Sequence, residues 1–128
     1  MSSVLPENLS LQVYLGDQII FQSSGGWLYP LFDFEDYLKR HPFDTSKVFV
    51  RDKVIGKAAA LMLVRLGVGS VEGLIMSELA KDVFSSFKVP HTCITLVPRI
   101  DCKTESLLQD VVDIEEAYQI LCKRAKRC

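Results

Sequence analysis

The chain lacks the spacing that metal sites need. It has only two histidines, His41 and His91, and four cysteines, Cys93, Cys102, Cys122 and Cys128, with no Cys-x-x-Cys among them. No zinc-ligand pattern exists, so no metal or other cofactor is expected. Nothing in the spacing pairs the cysteines, and four free thiols in a reducing cytoplasm are the plain reading. The opening MSSVLPENLSLQVYLGDQ has neither a basic stretch nor a long apolar run, so no secretory leader is expected. The longest apolar stretch, Val54 to Leu66, is too short at about 13 residues to cross a bilayer. Charge of one sign is also missing. Fifteen basic and sixteen acidic residues leave a net charge of −1, which argues against broad nucleic-acid binding. No repeat or low-complexity segment stands out.

What remains is enough for one folded unit. Hydrophobic residues make up 48% of 128, sufficient for a sizeable core. A single domain over 1–128 is expected, with 1–8 as a flexible lead. Only 24% of residues are charged, which leaves room for a buried homodimer face.

The chain is organised around Lys47 to Ser77. Val48, Phe49 and Val50 read as a strand. Val54 to Leu66 is apolar apart from Gly56, Lys57 and Arg65, the pattern of a buried helix. Gly67 is placed to stop it in a left-handed conformation. Val71 to Met76 reads as the next strand, and the default for such a unit is a right-handed parallel crossover. Before it, Leu9–Leu15 and Gln18–Gln22 form a hairpin over Gly16-Asp17. A flexible Ser23-Ser24-Gly25-Gly26 joint and a helix over Trp27–Arg40 follow, with Pro30 in its first turn and Pro42 after its end. After the central unit, Ser77 N-caps a helix to Lys88. Then come a strand over Thr92–Val97, an irregular stretch over 98–105, and a helix from Asp113 to Lys126. The order ββ-α-β-α-β-α-β-α predicts a three-layer α/β/α sandwich around a five-stranded mixed sheet.

The turn entering the central helix carries Asp52, Lys53, Gly56 and Lys57. Lysines are unfavourable at a helix start, where the dipole is already positive. Two of them call for a nearby acid or a bound anion. A phosphate or carboxylate on the free amides is one reading; an ion pair with Asp52 is the other. A phosphate-binding P-loop does not fit, because position 51 is Arg and Ala58 stands where Ser or Thr should hold magnesium. Gly26 and Trp27 could line a pocket or the core. Cys102 with Glu105 could pair a nucleophile with an acid, yet a cysteine without a neighbouring histidine is more often inert. The basic tail from Cys122 to Cys128 suits a helix C-terminus.

The run VFVRDKVIGKAAALMLVRLGVGSVEGLIMS resembles the cytidine-deaminase-like fold, in which a strand enters Pro-Cys-x-x-Cys at a buried helix start. Here 52–58 takes that place, and Gly25-Gly26-Trp27-Leu28 takes the place of the fold's His/Cys-x-Glu. Neither supplies a zinc ligand, and the catalytic Glu is absent. A closer resemblance is to an uncharacterised, mostly prokaryotic domain family with this fold and without its zinc motifs. It rests on 52–63, on Gly26 to Leu31, on Met76-Ser77-Glu78 and on Val97-Pro98. That family's Cys-Pro-x-Glu is Cys102-Lys103-Thr104-Glu105 here, without the proline. The resemblance implies a fold rather than a reaction. Three functions stay open: binding of a small anionic or nucleotide-like ligand near 52–57, a zinc-free enzyme using Cys102 and Glu105, and a non-catalytic oligomerisation module.

Overall fold

The computed structural model describes residues 5–42 and 44–127. Strands β1 (Leu11–Leu15) and β2 (Gln18–Ser23) form the hairpin, with Gly16 at φ +62° in its turn. Helix α1 (Tyr29–Arg40) follows. A single 3-10 turn, Thr45–Lys47, leads into β3 (Val48–Ile55). Then come α2 (Lys57–Leu66), β4 (Ser70–Ser77), α3 (Glu78–Ser86) and β5 (His91–Val97). A short α4 (Lys103–Leu107) and the long α5 (Ile114–Ala125) end the described chain. Of the expected flexible lead, 1–4 lie outside the described residues. Leu5 is buried and Leu9 N–H donates to the Pro6 carbonyl at 3.0 Å, so 5–8 form an ordered turn.

The sheet runs β2-β1-β3-β4-β5. β1 is antiparallel to β2 and β3, while β3, β4 and β5 are parallel. The mixed five-stranded sheet and the α/β class are therefore as the sequence suggested. The three-layer arrangement is not. Two right-handed crossovers stepping the same way, β3-α2-β4 and β4-α3-β5, put α2 and α3 on one face. Phe34 of α1 stacks on Phe21 of β2 at 5.5 Å, on the face that carries Val13 and Val50. Helix α5 packs outside α1 and α2. Tyr118 Oη donates to Glu35 at 2.7 Å, and the Arg65 guanidinium lies 3.6 Å from the Tyr118 ring centre while pairing with Glu35 and Glu115. The helices thus share one side of the sheet among the described residues. On the other side the Arg51 guanidinium lies over the Tyr14 and Phe49 rings, which contact each other with centroids 5.9 Å apart, and meets Glu72 at 3.0 Å. Tyr14 Oη donates to Gln12 at 2.7 Å.

Local boundaries follow from the same physics. Gly67 sits at φ +74° and ends α2 as expected, with its N–H on the Leu63 and Val64 carbonyls. Residues 57–63 are all buried, because α2 is enclosed by the sheet, α1, α3 and α5. Ser77 accepts from Ala80 N–H at 3.1 Å and Asp113 from Glu116 N–H at 2.9 Å, capping α3 and α5. Other boundaries move. β3 extends through Ile55, so Asp52 and Lys53 belong to a strand end, and Val54 is exposed rather than part of the helix. Phe87 is exposed as well, beyond the end of α3. Cys93 and Cys102 are free thiols, whereas Cys122 is disulfide-bonded. The expected four free thiols are therefore not found, and the cysteines give no support for a reducing compartment. Cys128 lies outside the described residues. No helix among those residues is long and apolar enough to cross a membrane.

Candidate functional site

A cavity of about 520 Å³ opens where the C-terminal ends of the parallel strands meet the start of α2. That is the usual ligand position in an α/β sheet. Every site residue expected from the sequence lines it, although they come from three separated segments. β3 and its end bring Asp52, Lys53, Gly56 and Lys57. The loop before α1 brings Gly26 and Trp27, and the segment after β5 brings Cys102 and Glu105.

The start of α2 is the best-defined part. Glu105, 1% exposed, turns its carboxylate onto it. Lys57 N–H donates to Oε1 at 2.6 Å and Ile100 N–H to Oε2 at 2.8 Å; Ser77 Oγ donates to Oε1 at 3.2 Å. The acid at the helix start is therefore not Asp52, and it meets the backbone of Lys57 rather than a lysine ammonium. It comes from α4, 48 residues along the chain from Lys57. The positive end of α2 holds a negative charge with directed donors, as helix termini do for anions. Gly56 serves the same contact. A Cβ there would lie 2.4 Å from Ile100 Cδ1 and 3.0 Å from Glu105 Oε1, so glycine lets the segment after β5 close down.

Lys57 is 7% exposed and directs its ammonium away from the helix start, donating to the Gln109 carbonyl at 2.9 Å. It ties 98–109 to α2 a second time. Arg99 adds an outer tie to Gln109 at 3.2 Å. Lys53 is exposed on the cavity wall.

Asp52 is the polar group with the most unusual environment. Burial pushes its carboxyl up to about 7, against the backbone amides of Lys53 and Val54, which donate to it and pull the other way. A carboxyl poised near neutrality can accept or donate a proton, and such groups concentrate at functional sites. Cys102 is half-buried, with Sγ 2.9 Å from Thr104 Oγ1. Glu105 is spent on the helix start, so it is not free to act as the acid beside that thiol. Among the described residues, no group of three or more His, Cys, Asp or Glu side chains is placed to hold a metal ion.

Two features were not legible in the sequence. Trp27 adopts φ +51°, the left-handed region that bulky residues avoid. Its ring is 39% exposed, edge-on to Tyr29 at 5.2 Å, so it borders the cavity and does not enter the core. Ser10 Oγ donates to the Gly25 carbonyl at 2.6 Å, and Lys53 N–H donates to the Ser10 carbonyl at 2.9 Å. This residue fastens the glycine loop to the end of β3 and lines the cavity too.

The model of the TM1506 domain, a domain of unknown function (DUF1893), matches residues 3–124. The chain belongs to the DUF1893 family. A crystal structure of a DUF1893 family protein, TM1506 from Thermotoga maritima, is 25% identical. It superposes with a TM-score of 0.82, covering 92% of this chain and 82% of that one. No curated protein matches. DUF1893 membership thus fixes the fold and leaves the chemistry to be argued from the cavity.

Proposed function

We propose that this DUF1893 chain binds a small nucleotide-like molecule in the cavity above α2, with Asp52 as the group that reads it. The observation that carries this is a carboxyl with a pKa near 7 on the wall of a 520 Å³ cavity. A ring bearing N–H or amino donors would satisfy Asp52 in either protonation state. Trp27 supplies an aromatic surface at the rim, held in a strained backbone of the kind that clusters at ligand clamps. Lys53 is available for a phosphate or carboxylate on the same molecule. The anion enters there and not at the start of α2, where Glu105 already sits. The volume matches a nucleoside-sized ligand, within the usual range of about 300–1,000 Å³.

We also infer kinship with the cytidine-deaminase-like fold. The passage of β3 into a buried α2, its glycine stop and the parallel β4 support that reading. Both places where that fold carries zinc ligands lack them in this sequence, so the kinship brings no water-activating metal with it. A zinc-free enzyme built on Cys102 and Glu105 draws less support, because the Glu105 carboxylate already serves two backbone amides.

The test is thermal shift against a panel of free nucleobases, nucleosides and nucleoside monophosphates. At least one ring compound should raise the melting temperature of the parent chain, and Asp52→Asn should abolish or strongly reduce that rise. Saturation at a hundred times the dissociation constant is worth about 2.7 kcal/mol. A flat response to the whole panel, or an unchanged rise in both Asp52→Asn and Trp27→Ala, would remove this reading.

A further inference from the structure

The two edges of the sheet differ. On β2, the register shifts between Val13 and Tyr14 of its partner β1, an irregularity that twists an edge away from further pairing. β5 has no such protection. Its seven residues, His91 to Val97, pair with β4 on one side only among the described residues. The segment HTCITLV contains no Lys, Arg, Asp, Glu, Pro or Gly. His91 and Cys93 turn toward the helices, His91 stacking on Phe84 at 5.5 Å and Cys93 packing on the core. Thr92, Ile94 and Leu96 therefore point to the other face, with Ile94 63% and Leu96 41% exposed. An uncharged edge strand with exposed branched residues is a template for another strand.

We propose that β5 pairs antiparallel with β5 of a second copy of this chain, joining two sheets into one across a two-fold axis at Ile94. Self-pairing is favoured over a foreign strand because the segment is complementary to itself. An isologous contact sets each patch against its own copy. The midpoint of 91–97 is 94, so full overlap places Ile94 against Ile94, Thr92 against Leu96 and Cys93 against Thr95. Each pair falls on a common face, and no like charges meet. The contact leaves the cavity above α2 free, so it stands or falls separately from ligand binding. A single strand pair buries less than the roughly 800 Å² per partner of a standard interface, so the dimer is a weak one whose population rises with concentration.

Sedimentation velocity on the full chain across a wide concentration range reads this directly. The parent should pass from monomer to dimer. Ile94→Lys sets two ammonium groups face to face on the axis and should weaken dimerisation roughly tenfold or more. Val112→Lys, at an 80% exposed site away from β5, should leave it unchanged. The register has its own check: Thr92→Lys should weaken the dimer, and adding Leu96→Glu should restore it by placing opposite charges across the pair. Circular dichroism identifies any variant that fails to fold; if Ile94→Lys does, the Thr92→Lys pair of variants decides. A parent that stays monomeric, a dimer indifferent to Ile94→Lys, or equal loss in Val112→Lys overturns the proposal.

Discussion

Glu105→Ala is the most informative single change. The carboxylate is buried and receives the Lys57 and Ile100 amides at 2.6 and 2.8 Å and the Ser77 hydroxyl at 3.2 Å. Hydrogen bonds to a charged partner are worth about 1.5–3 kcal/mol each, so losing the two amide bonds alone gives about 3–6 kcal/mol. If the segment after β5 shifts enough for water to reach the orphaned amides, the loss falls at the low end, about 3 kcal/mol. In a chain of this size that lowers the melting temperature by roughly 10 °C. Glu105→Gln keeps one acceptor and loses the charge, and about half that loss is expected. Urea unfolding followed by circular dichroism gives the free energies, with the slope unchanged if only stability moved. Hydrogen exchange should show the Lys57 and Ile100 amides losing protection. The emptied helix start should also acquire an anion site, so sulfate or acetate should stabilise Glu105→Ala more than the parent. A Glu105→Ala chain within about 0.5 kcal/mol of the parent, or one with no gain in anion response, would refute the assignment of Glu105 as the internal cap of α2.

Other expectations are quick to check. Asp52 carries a folded pKa of about 7 against an ordinary 3.8, so the native state holds the proton more tightly between those values. Its contribution is therefore fully present below about 4, falls by up to about 1.4 kcal/mol per pH unit on the way to 7, and then levels. The melting-temperature gap between Asp52→Asn and the parent should grow over that window in favour of the variant, and a pH-independent gap would contradict it. Lys57→Ala should destabilise by about 1–3 kcal/mol through the bond to Gln109, while Lys53→Ala should stay within about 0.5 kcal/mol; equal effects on melting would dissolve the distinction. Gly56→Ala forces Ile100 and Glu105 apart and should cost about 1–3 kcal/mol in denaturant melts. Alkylation of the denatured, unreduced chain should label Cys93 and Cys102 and spare Cys122.

The parts of the fold that the sequence revealed are those written locally. The body of α2 from Lys57 on, its glycine stop and the caps at Ser77 and Asp113 all act within a few residues and stand where periodicity and capping placed them, while Val54 and Ile55 went to β3. The end of β3 was misplaced because charged residues at 51–53 look like a turn. In the folded chain Arg51 caps two neighbouring rings on the outer face and Asp52 sits in the cavity wall. Neither environment exists until β1 has paired with β3. The layer count failed for a topological reason, since element order alone does not say which face each helix covers. The members of the cavity were legible as residue types that chemistry uses, but their partners were not. Trp27 carries no sequence mark of its left-handed backbone, and the bond from Ser10 to Gly25 spans two strands.

The lysine pair shows why such a site cannot be read from one turn. Two lysines beside a helix start suggest an anion on electrostatic grounds, but the carboxylate that arrives meets the backbone amide of Lys57 and neither ammonium group. The anion is Glu105, brought by a segment whose approach depends on the bare α-carbon of Gly56 and on Lys57 gripping Gln109. Three features that looked like a ligand site in isolation are thus the fastening of one strap over α2. The consequence is chemical. With the start of α2 filled from within, what remains for a ligand is a mixed wall, aromatic at Trp27, acidic at Asp52, Glu7 and Asp101 and basic at Lys53. On the proposed reading, selectivity would rest less on charge at the start of α2 and more on hydrogen-bond donors and ring shape facing Asp52 and Trp27.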